Sequence, residues 1–123
     1  MKPETKFKMI VAKALQHLPS GWFLKTQEVT IRGIPDYIIC LRGYFIALEL
    51  KASEDDALDA LQEYNLKTII EDGEGIACRV DPTNWPWILK NLQSIAEGIE
   101  PHLIEWPHNK PSKNSAYRNI STD

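Results

Sequence analysis

The sequence predicts an α/β domain of the α+β kind, in which helices flank a small mixed sheet. Three observations indicate this class. Apolar residues recur at helical spacing near the start, in the middle and towards the end of the chain; short runs rich in β-branched and aromatic residues lie between these segments; and clusters of Gly, Pro, Asn and Asp separate them. The predicted order of elements is therefore α-β-β-β-α-β-α.

The length and composition fit one compact domain. The chain has 123 residues, of which 43% are hydrophobic and 25% charged, and these values exclude a wholly disordered protein. We assign residues 1–99 to the domain and residues 100–123, which are rich in Pro, Asn and Ser, to a C-terminal tail. Because the chain has neither an apolar run of about 18 residues nor a signal-peptide pattern, we expect a cytoplasmic protein without membrane association.

The first helix begins near Pro3, since proline suits the first turn of a helix, and it ends before Pro19. Its apolar residues recur at three- and four-residue spacing: Phe7, Ile10, Val11, Ala14, Leu15 and Leu18. A strand follows at residues 22–31, and we interpret Trp22 at its start as a residue at the edge of the core.

The central stretch 34–51 supplies two strands, at residues 37–41 and 44–50, joined by a turn at Arg42 and Gly43. Both strands are apolar on either face. This pattern indicates the middle of a sheet that is covered on both sides.

A helix and a strand follow this hairpin. Ser53 with Asp56 three residues later matches a capping box, and helical spacing continues as far as Gly73. Residues 76–80 form a short strand, and the helix before it allows a parallel crossover from the preceding strand. The last helix is marked by Trp85, Ile88, Leu89, Leu92, Ile95 and Ala96.

Three charged side chains lie at one end of the otherwise apolar hairpin. If Arg42 and Gly43 close a symmetric turn, Asp36 lies directly opposite Glu49, and Lys51 points to the same face. Two facing carboxylates repel each other unless one is protonated or a cation lies between them. Because Mg²⁺ prefers carboxylate oxygens, and a lysine can orient water and stabilise negative charge, this pattern suits phosphodiester hydrolysis.

The sequence leaves two alternatives open. A glycine bulge at Gly43 would pair Asp36 with Leu48 and turn Glu49 to the other face of the sheet. The charges of Asp36, Glu49 and Lys51 could also form an ion-paired cluster that has no catalytic role.

These residues resemble the motif of a known family. GIPD at residues 33–36, followed by ELK at 49–51 on the next strand and Gln62 on the following helix, resembles the PD-(D/E)xK nuclease superfamily, and in particular its VRR-NUC branch of small phage and bacterial nucleases. The resemblance covers residues 4–80 and agrees with the predicted order of elements. It implies a restriction-endonuclease-like core.

The resemblance also implies metal ligands. Asp36 and Glu49 would hold a divalent ion, Mg²⁺ or Mn²⁺, with the Leu50 backbone carbonyl as a candidate third ligand. Family members often carry an acidic residue on the first helix, and Glu4 matches that position loosely because it shares a helical face with apolar residues.

The same resemblance implies the chemistry and the partners. Lys51 would be the catalytic lysine that positions water, and Gln62 would lie near the site. The implied function is a metal-dependent endonuclease that hydrolyses DNA, with branched or flap DNA as candidate substrates and a homodimer as the expected assembly. The alternative is a catalytically inactive adaptor or binding module in a DNA replication or repair complex.

The charge of the chain limits how it could bind DNA. Its formal net charge is -3, and residues 53–56 are acidic. The basic groups available for phosphate contacts lie at residues 2–13, at Arg32 and Arg42, and in the tail. So few contacts on an acidic body favour a dimer, or a partner, that completes the DNA-binding surface.

Overall fold

The computed structural model describes residues 1–27 and 30–106, which form a four-stranded sheet with helices on both faces. The elements are α1 (Pro3–Gln16), β1 (Gly21–Lys25), β2 (Tyr37–Leu41), β3 (Tyr44–Leu50), α2 (Ala60–Glu71), β4 (Ile76–Val80), α3 (Trp85–Ala96) and a 3-10 helix (Pro101–Leu103). The predicted class and order of elements are confirmed, with the 3-10 helix as an addition. None of the helices in these ranges combines the length and the apolar character that crossing a membrane requires.

The turn between β2 and β3 sets the register of the hairpin. Arg42 has a φ of 51° and Gly43 a φ of 87°, which is the pattern of a type I′ turn, whose twist matches that of the flanking strands. Leu41 pairs with Tyr44 at the turn, and Tyr37 pairs with Leu48 at the other end of β2. The symmetric register is therefore the one adopted, and a bulge at Gly43 is excluded.

The sheet is mixed, as predicted. The strands lie side by side in the order β1-β2-β3-β4, with antiparallel pairs on either side of β2. Helix α2 carries the chain from β3 to β4, and these two strands run parallel, with Ile46 beside Ile76 and Leu50 beside Val80. A parallel pair needs such a crossover because a tight turn can join only antiparallel strands.

Two apolar clusters cover the two faces of the sheet. The larger one joins α1 and α3 to the face that carries Tyr37, Ile39 and Leu48. The smaller one joins α2 and the loop before it to the opposite face; its buried members are Ala47, Leu58, Leu66 and Ala77. Because side chains alternate along a strand, Asp36 and Glu49 belong to the face of the smaller cluster.

Strand β1 is shorter than predicted, since it ends at Lys25 rather than at residue 31. Thr26 still donates its N–H to the Asp36 carbonyl at 3.0 Å, but a turn at Gln27 then takes the chain away from the sheet. Ile31, expected in the strand, is 66% exposed. Residues 28 and 29 of the predicted strand lie outside the described residues.

Helix α2 begins later than predicted. Its capping box consists of Asp59 and Gln62, and the prediction that Ser53 and Asp56 form it is wrong. The backbone carbonyls of Ser53 and Asp56 accept hydrogen bonds from the guanidinium of Arg79. The Ser53 carbonyl also accepts the Asp56 N–H at 3.2 Å, so residues 53–56 form a single turn that Arg79 holds in place, and the helix starts at the next capping residue, Asp59.

The sheet is also not covered on both faces along its whole width. An α-helix is about 10–12 Å wide and strands lie about 4.8 Å apart, so α2 alone covers only the half formed by β3 and β4. On the same face, beyond this cover, Cys40 of β2 is exposed, Trp22 of β1 is 60% exposed, and Phe45, at the turn end of β3, is 46% exposed. The interpretation of Trp22 as a residue at the edge of the core is therefore wrong.

The packed structure continues past residue 99. Ile104 and Trp106 join the larger apolar cluster, and Trp106 is only 1% exposed. Asn91 of α3 donates a hydrogen bond to the Glu105 carbonyl at 3.0 Å. The first residues of the predicted tail thus pack on α3, whereas residues 107–123 lie outside the described residues.

If the segment around Trp106 is part of the core, Trp106→Ala should lower the free energy of unfolding by about 3–5 kcal/mol, because the change removes a large buried side chain and leaves a cavity. Leu103→Ala is the control, since Leu103 is 70% exposed and its loss should change stability by no more than about 0.5 kcal/mol. Urea unfolding monitored by circular dichroism measures both values. Equal midpoints for the parent and the Trp106 variant would contradict this assignment.

Candidate active site

Asp36 and Glu49 meet at the open end of the β2–β3 hairpin. Continuing the register by one pair beyond Tyr37 and Leu48 places Asp36 opposite Glu49. The two carboxyl groups are hydrogen-bonded to each other, and Asp36 Oδ2 also accepts the backbone N–H of Leu50 at 2.7 Å. Glu49 is only 4% exposed, so one of the two acids is almost completely removed from water.

Pro35 leaves the backbone carbonyl of Leu50 without a partner from β2. Residues that flank a two-residue turn, here Leu41 and Tyr44, exchange both N–H···O bonds, and the same alternation continued brings Pro35 opposite Leu50. Proline has no N–H to donate to that carbonyl. The N–H and C=O of one strand residue point to the same side, so the Leu50 carbonyl lies on the side of Asp36.

Gln62 joins the acidic pair to Lys51. Its side-chain oxygen accepts a hydrogen bond from Lys51 Nζ at 2.8 Å, and its side-chain nitrogen donates to Glu49 Oε2 at 3.3 Å. The same oxygen accepts the Asp59 N–H at 3.0 Å within the capping box of α2. The start of α2 therefore fixes the distance between the ammonium group and the carboxylates.

Thr26 holds the backbone of Asp36 and was not identified from the sequence. Its hydroxyl lies 2.5 Å from the Pro35 carbonyl and 3.1 Å from the Asp36 carbonyl, and its N–H donates to the Asp36 carbonyl. Thr26 is buried, at 7% exposure. Its place one residue after β1 is the signal that could have found it, because it faces Asp36 once the register of β1 and β2 is known.

A buried arginine, also missed in the sequence, fixes the loop between β3 and α2. Arg79 is 2% exposed and forms an ion pair with Asp81 at 2.5 Å. Its guanidinium donates to the carbonyls of Ser53, at 2.7 Å, and Asp56. Since a buried cation that loses its partners is strongly destabilising, this contact holds the loop firmly beside the site.

The acidic pair, Lys51 and Gln62 line one cavity of about 450 Å³. It is lined by all the residues that the sequence assigned to the site, which are Glu4, Asp36, Glu49, Leu50, Lys51 and Gln62, and also by Lys8, Ala52, Asp56 and Ala57. Glu4 and Lys8 reach it from α1, where they form an exposed ion pair at 3.3 Å. Glu4 therefore lies at the mouth of the cavity, away from the hydrogen-bonded network of Glu49.

Burial raises the pKa of Glu49 from 4.5 to about 8, with further upward contributions from the charge of Asp36 and from the hydrogen bond between the two carboxyl groups. Lys51 lowers this pKa, but its effect is smaller. Near neutral pH the protonated Glu49 therefore shares its proton with Asp36. The repulsion expected between facing carboxylates is relieved in this way when no cation is bound.

The site suits a hard divalent cation. Among residues 1–27 and 30–106, no group of three or more His, Cys, Asp or Glu side chains is placed to hold a metal ion. Mg²⁺, however, commonly uses one or two carboxylates and keeps several waters. Asp36, Glu49 and the Leu50 carbonyl offer oxygen atoms at one point, and a cation would replace the proton that the two acids share.

We predict that, without divalent metal, the free energy of unfolding falls as the pH rises from about 4.5 to about 8. The folded protein binds the Glu49 proton more tightly than the unfolded chain does, so this stabilisation is complete below pH 4.5 and is lost as the pH passes the folded pKa. Glu49→Gln mimics the protonated acid and should gain stability relative to the parent over this range. Urea titrations in EDTA at several pH values measure the difference, and parallel curves for the two proteins would contradict the raised pKa.

No protein-family model matches the chain, and no curated protein is significantly similar to it. A solved structure described as a VRR_NUC domain is similar to it, with a TM-score of 0.56 and 18% sequence identity over 81% of this chain and 100% of that chain. At this identity the likeness concerns the fold. The protein therefore has the restriction-endonuclease-like fold of a VRR-NUC domain, as the resemblance of its GIPD and ELK motifs implied.

Proposed function

We propose that the protein is a metal-dependent endonuclease that hydrolyses phosphodiester bonds of DNA. The observation that carries the proposal is the convergence of Asp36, Glu49 and Lys51 in one cavity, on the fold of a VRR-NUC domain. Burying Glu49 against a second acid is unfavourable, and groups with such a strongly shifted pKa concentrate at functional sites. A merely structural ion pair would need Lys51 and one acid only.

The acidic pair would hold the metal. Asp36, Glu49 and the Leu50 carbonyl are the proposed ligands for Mg²⁺ or Mn²⁺, and Glu4 is a further candidate at the cavity mouth. When bound, such an ion polarises a phosphoryl oxygen and lowers the pKa of water.

Lys51 and Gln62 would position the reactants. The Lys51 ammonium group, held by Gln62, can donate hydrogen bonds to a water molecule and to a non-bridging phosphate oxygen. It would stabilise the negative charge that spreads over the phosphoryl oxygens while the water oxygen attacks phosphorus and the bond to the leaving oxygen breaks. Because Gln62 bonds to both side chains, it holds this ammonium group close to the Glu49 carboxyl group.

The phosphate contacts proposed for DNA lie mainly on α1. Lys8 borders the cavity, Lys6 and Lys13 are exposed on the same helix, and Lys2 is exposed directly before it. Arg42 is a poor candidate because it lies on the turn at the opposite end of β2, about 15–20 Å from Asp36 at 3.3 Å per residue. The basic residues of the tail lie outside the described residues. Preference for branched or flap DNA, and a homodimer that enlarges this surface, are the finer parts of the proposal.

A non-catalytic adaptor is the second candidate. It is favoured by the exposed acidic loop residues Glu54, Asp55 and Asp56, of which Asp56 lines the cavity. Their charge would repel a phosphate backbone that approaches from this side. In an adaptor the carboxylates would be vestigial, and the cavity would bind neither metal nor DNA.

We expect the protein to nick supercoiled plasmid or cleave branched DNA in the presence of Mn²⁺ or Mg²⁺. Lys51→Ala should lower the rate by about 100-fold or more, because it removes a charge that stabilises the transition state. Asp36→Ala should abolish cleavage by removing a metal ligand. Gel assays with purified proteins measure the rates.

Lys67→Ala is the matched control, because Lys67 is exposed on α2 and does not line the cavity. It should cleave DNA as the parent does, and circular dichroism should show that every variant is folded. Cleavage that survives in a folded Asp36→Ala variant would overturn this assignment of the site. A parent protein that cleaves no DNA with any divalent metal would instead favour the adaptor.

A further inference from the structure

We infer that two copies of the chain pair through the free edge of β1, so that their sheets join across a twofold axis. The inference names the surface of the homodimer included in the proposed function and rests on the proposed function in that respect. Its evidence, however, is the geometry of one edge strand, and its test needs no catalysis.

Strand β1 is an edge that carries none of the usual protection against pairing. It is the outermost strand of the sheet, and four of its five residues are exposed. Natural edges are commonly blocked by proline, by a bulge or by charges within the strand. The sequence GWFLK has no proline, pairs with β2 without a bulge, and carries its single charge at the last position, Lys25.

The hydrogen bonds to β2 determine which backbone groups face outward. Thr26 donates its N–H to the Asp36 carbonyl, and Arg42 donates its N–H to the Ser20 carbonyl. Because alternate residues of an antiparallel strand bond to the same neighbour, the even-numbered residues from 20 to 26 face β2. Gly21, Phe23 and Lys25 therefore point their N–H and C=O groups to the free edge.

One antiparallel register uses all of these outward groups. When the twofold axis passes beside Phe23, this residue lies opposite Phe23 of the second copy, and Gly21 lies opposite Lys25 of the second copy. Each outward-facing residue then exchanges both backbone hydrogen bonds. The only charged residue of the strand faces a glycine, so no like charges meet.

The same register brings exposed apolar side chains together. Trp22 lies opposite Leu24 of the second copy in a pair that is not hydrogen-bonded, where side chains approach most closely. Trp22 is 60% and Leu24 46% exposed in one copy, and Phe45 continues this apolar surface across Cys40. Pairing would thus bring the exposed apolar side chains of the two copies into lateral contact along the joined edge.

The other edge of the sheet explains why association should stop at two copies. Strand β4 is buried at all five of its residues, so it offers no free edge to β1 of another copy. Only identical edges can then meet, and a twofold interface of this kind closes on itself.

The size of the apolar surface indicates moderate affinity. A fully buried aromatic side chain removes about 150–250 Å² from water, and those on this surface are about half exposed. The patch is therefore on the order of a few hundred Å², below the roughly 800 Å² per partner of a standard interface. We expect an equilibrium between monomer and dimer that depends on protein concentration.

Analytical ultracentrifugation of the full chain, from low micromolar to the highest soluble concentration, tests the inference. The weight-average mass of the parent should rise from near 14.1 kDa towards twice that value. Leu24→Lys, which places a charge against Trp22 of the second copy, should remain monomeric. Ile10→Lys is the matched control, since Ile10 on α1 is similarly exposed at 49%, and it should dimerise like the parent.

A second variant and a second measurement distinguish loss of the interface from misfolding of the variant. Trp22→Thr keeps a residue that favours strands and should weaken the dimer by at least tenfold in dissociation constant, while circular dichroism stays unchanged. Hydrogen exchange should show protection of the Gly21, Phe23 and Lys25 amides that increases with concentration in the parent and is absent in Leu24→Lys.

Three results would overturn the inference: a parent that stays monomeric at every concentration, a dimer that Leu24→Lys leaves intact, or open-ended polymers. A protein that stays monomeric but binds an added extended peptide along β1 would also overturn it, because the occupant of the edge would then not be a second copy. Failure of the two proposals can be told apart, because a protein that dimerises through β1 but cleaves no DNA contradicts only the nuclease, and an active monomer contradicts only the dimer.

Discussion

The contact between the carboxyl groups of Asp36 and Glu49 is the constraint on which the rest of the site depends. Removing Glu49 from water against a second acid is unfavourable, and its pKa of about 8 expresses that cost. Several groups are arranged to hold the pair in place. The Leu50 N–H binds Asp36, and the Gln62 amide binds Glu49. In the proposed function, a divalent cation would take the place of the proton that this arrangement holds.

Two local features of the backbone produce this contact, the turn between β2 and β3 and the proline before β2. A two-residue type I′ turn fixes the register of β2 and β3, and a slip by one residue would send Glu49 to the other face of the sheet. Proline at position 35 then interrupts the hydrogen bonds of the hairpin, because it has no N–H to donate to the Leu50 carbonyl. The site is therefore formed where the regular hydrogen bonding of the hairpin stops.

Much of this arrangement was predictable because it depends on short-range patterns. The lengths of β2, β3 and β4 follow from apolar runs between clear turn residues, and the symmetric turn was sufficient to place Asp36 opposite Glu49. The start of α2 was not predicted correctly, although Asp59 with Gln62 satisfies the same capping-box pattern as Ser53 with Asp56. The pattern alone could not rank the two.

What separated them is a contact that no local pattern contains. Arg79 lies on β4 and binds the carbonyls of the loop after β3, far away along the chain. Thr26 was missed for the same reason, since its role appears only once β1 is aligned with β2. The face beside Trp22 is likewise open because one helix is too narrow to cover four strands. The alternation of apolar and polar residues along a strand does not predict this property of the packing.

We propose that Glu49 shares a proton with Asp36 when no metal is bound and becomes a ligand when Mg²⁺ binds, so its ionisation is the most direct test of the site. Carbon-13 NMR titration of the Glu49 side-chain carboxyl carbon, with and without saturating Mg²⁺, reports that ionisation at the atom concerned. We expect a pKa of about 8 for Glu49 without the ion and a value far below this when Mg²⁺ is bound. Titration near the ordinary value of 4.5 in both conditions would contradict it.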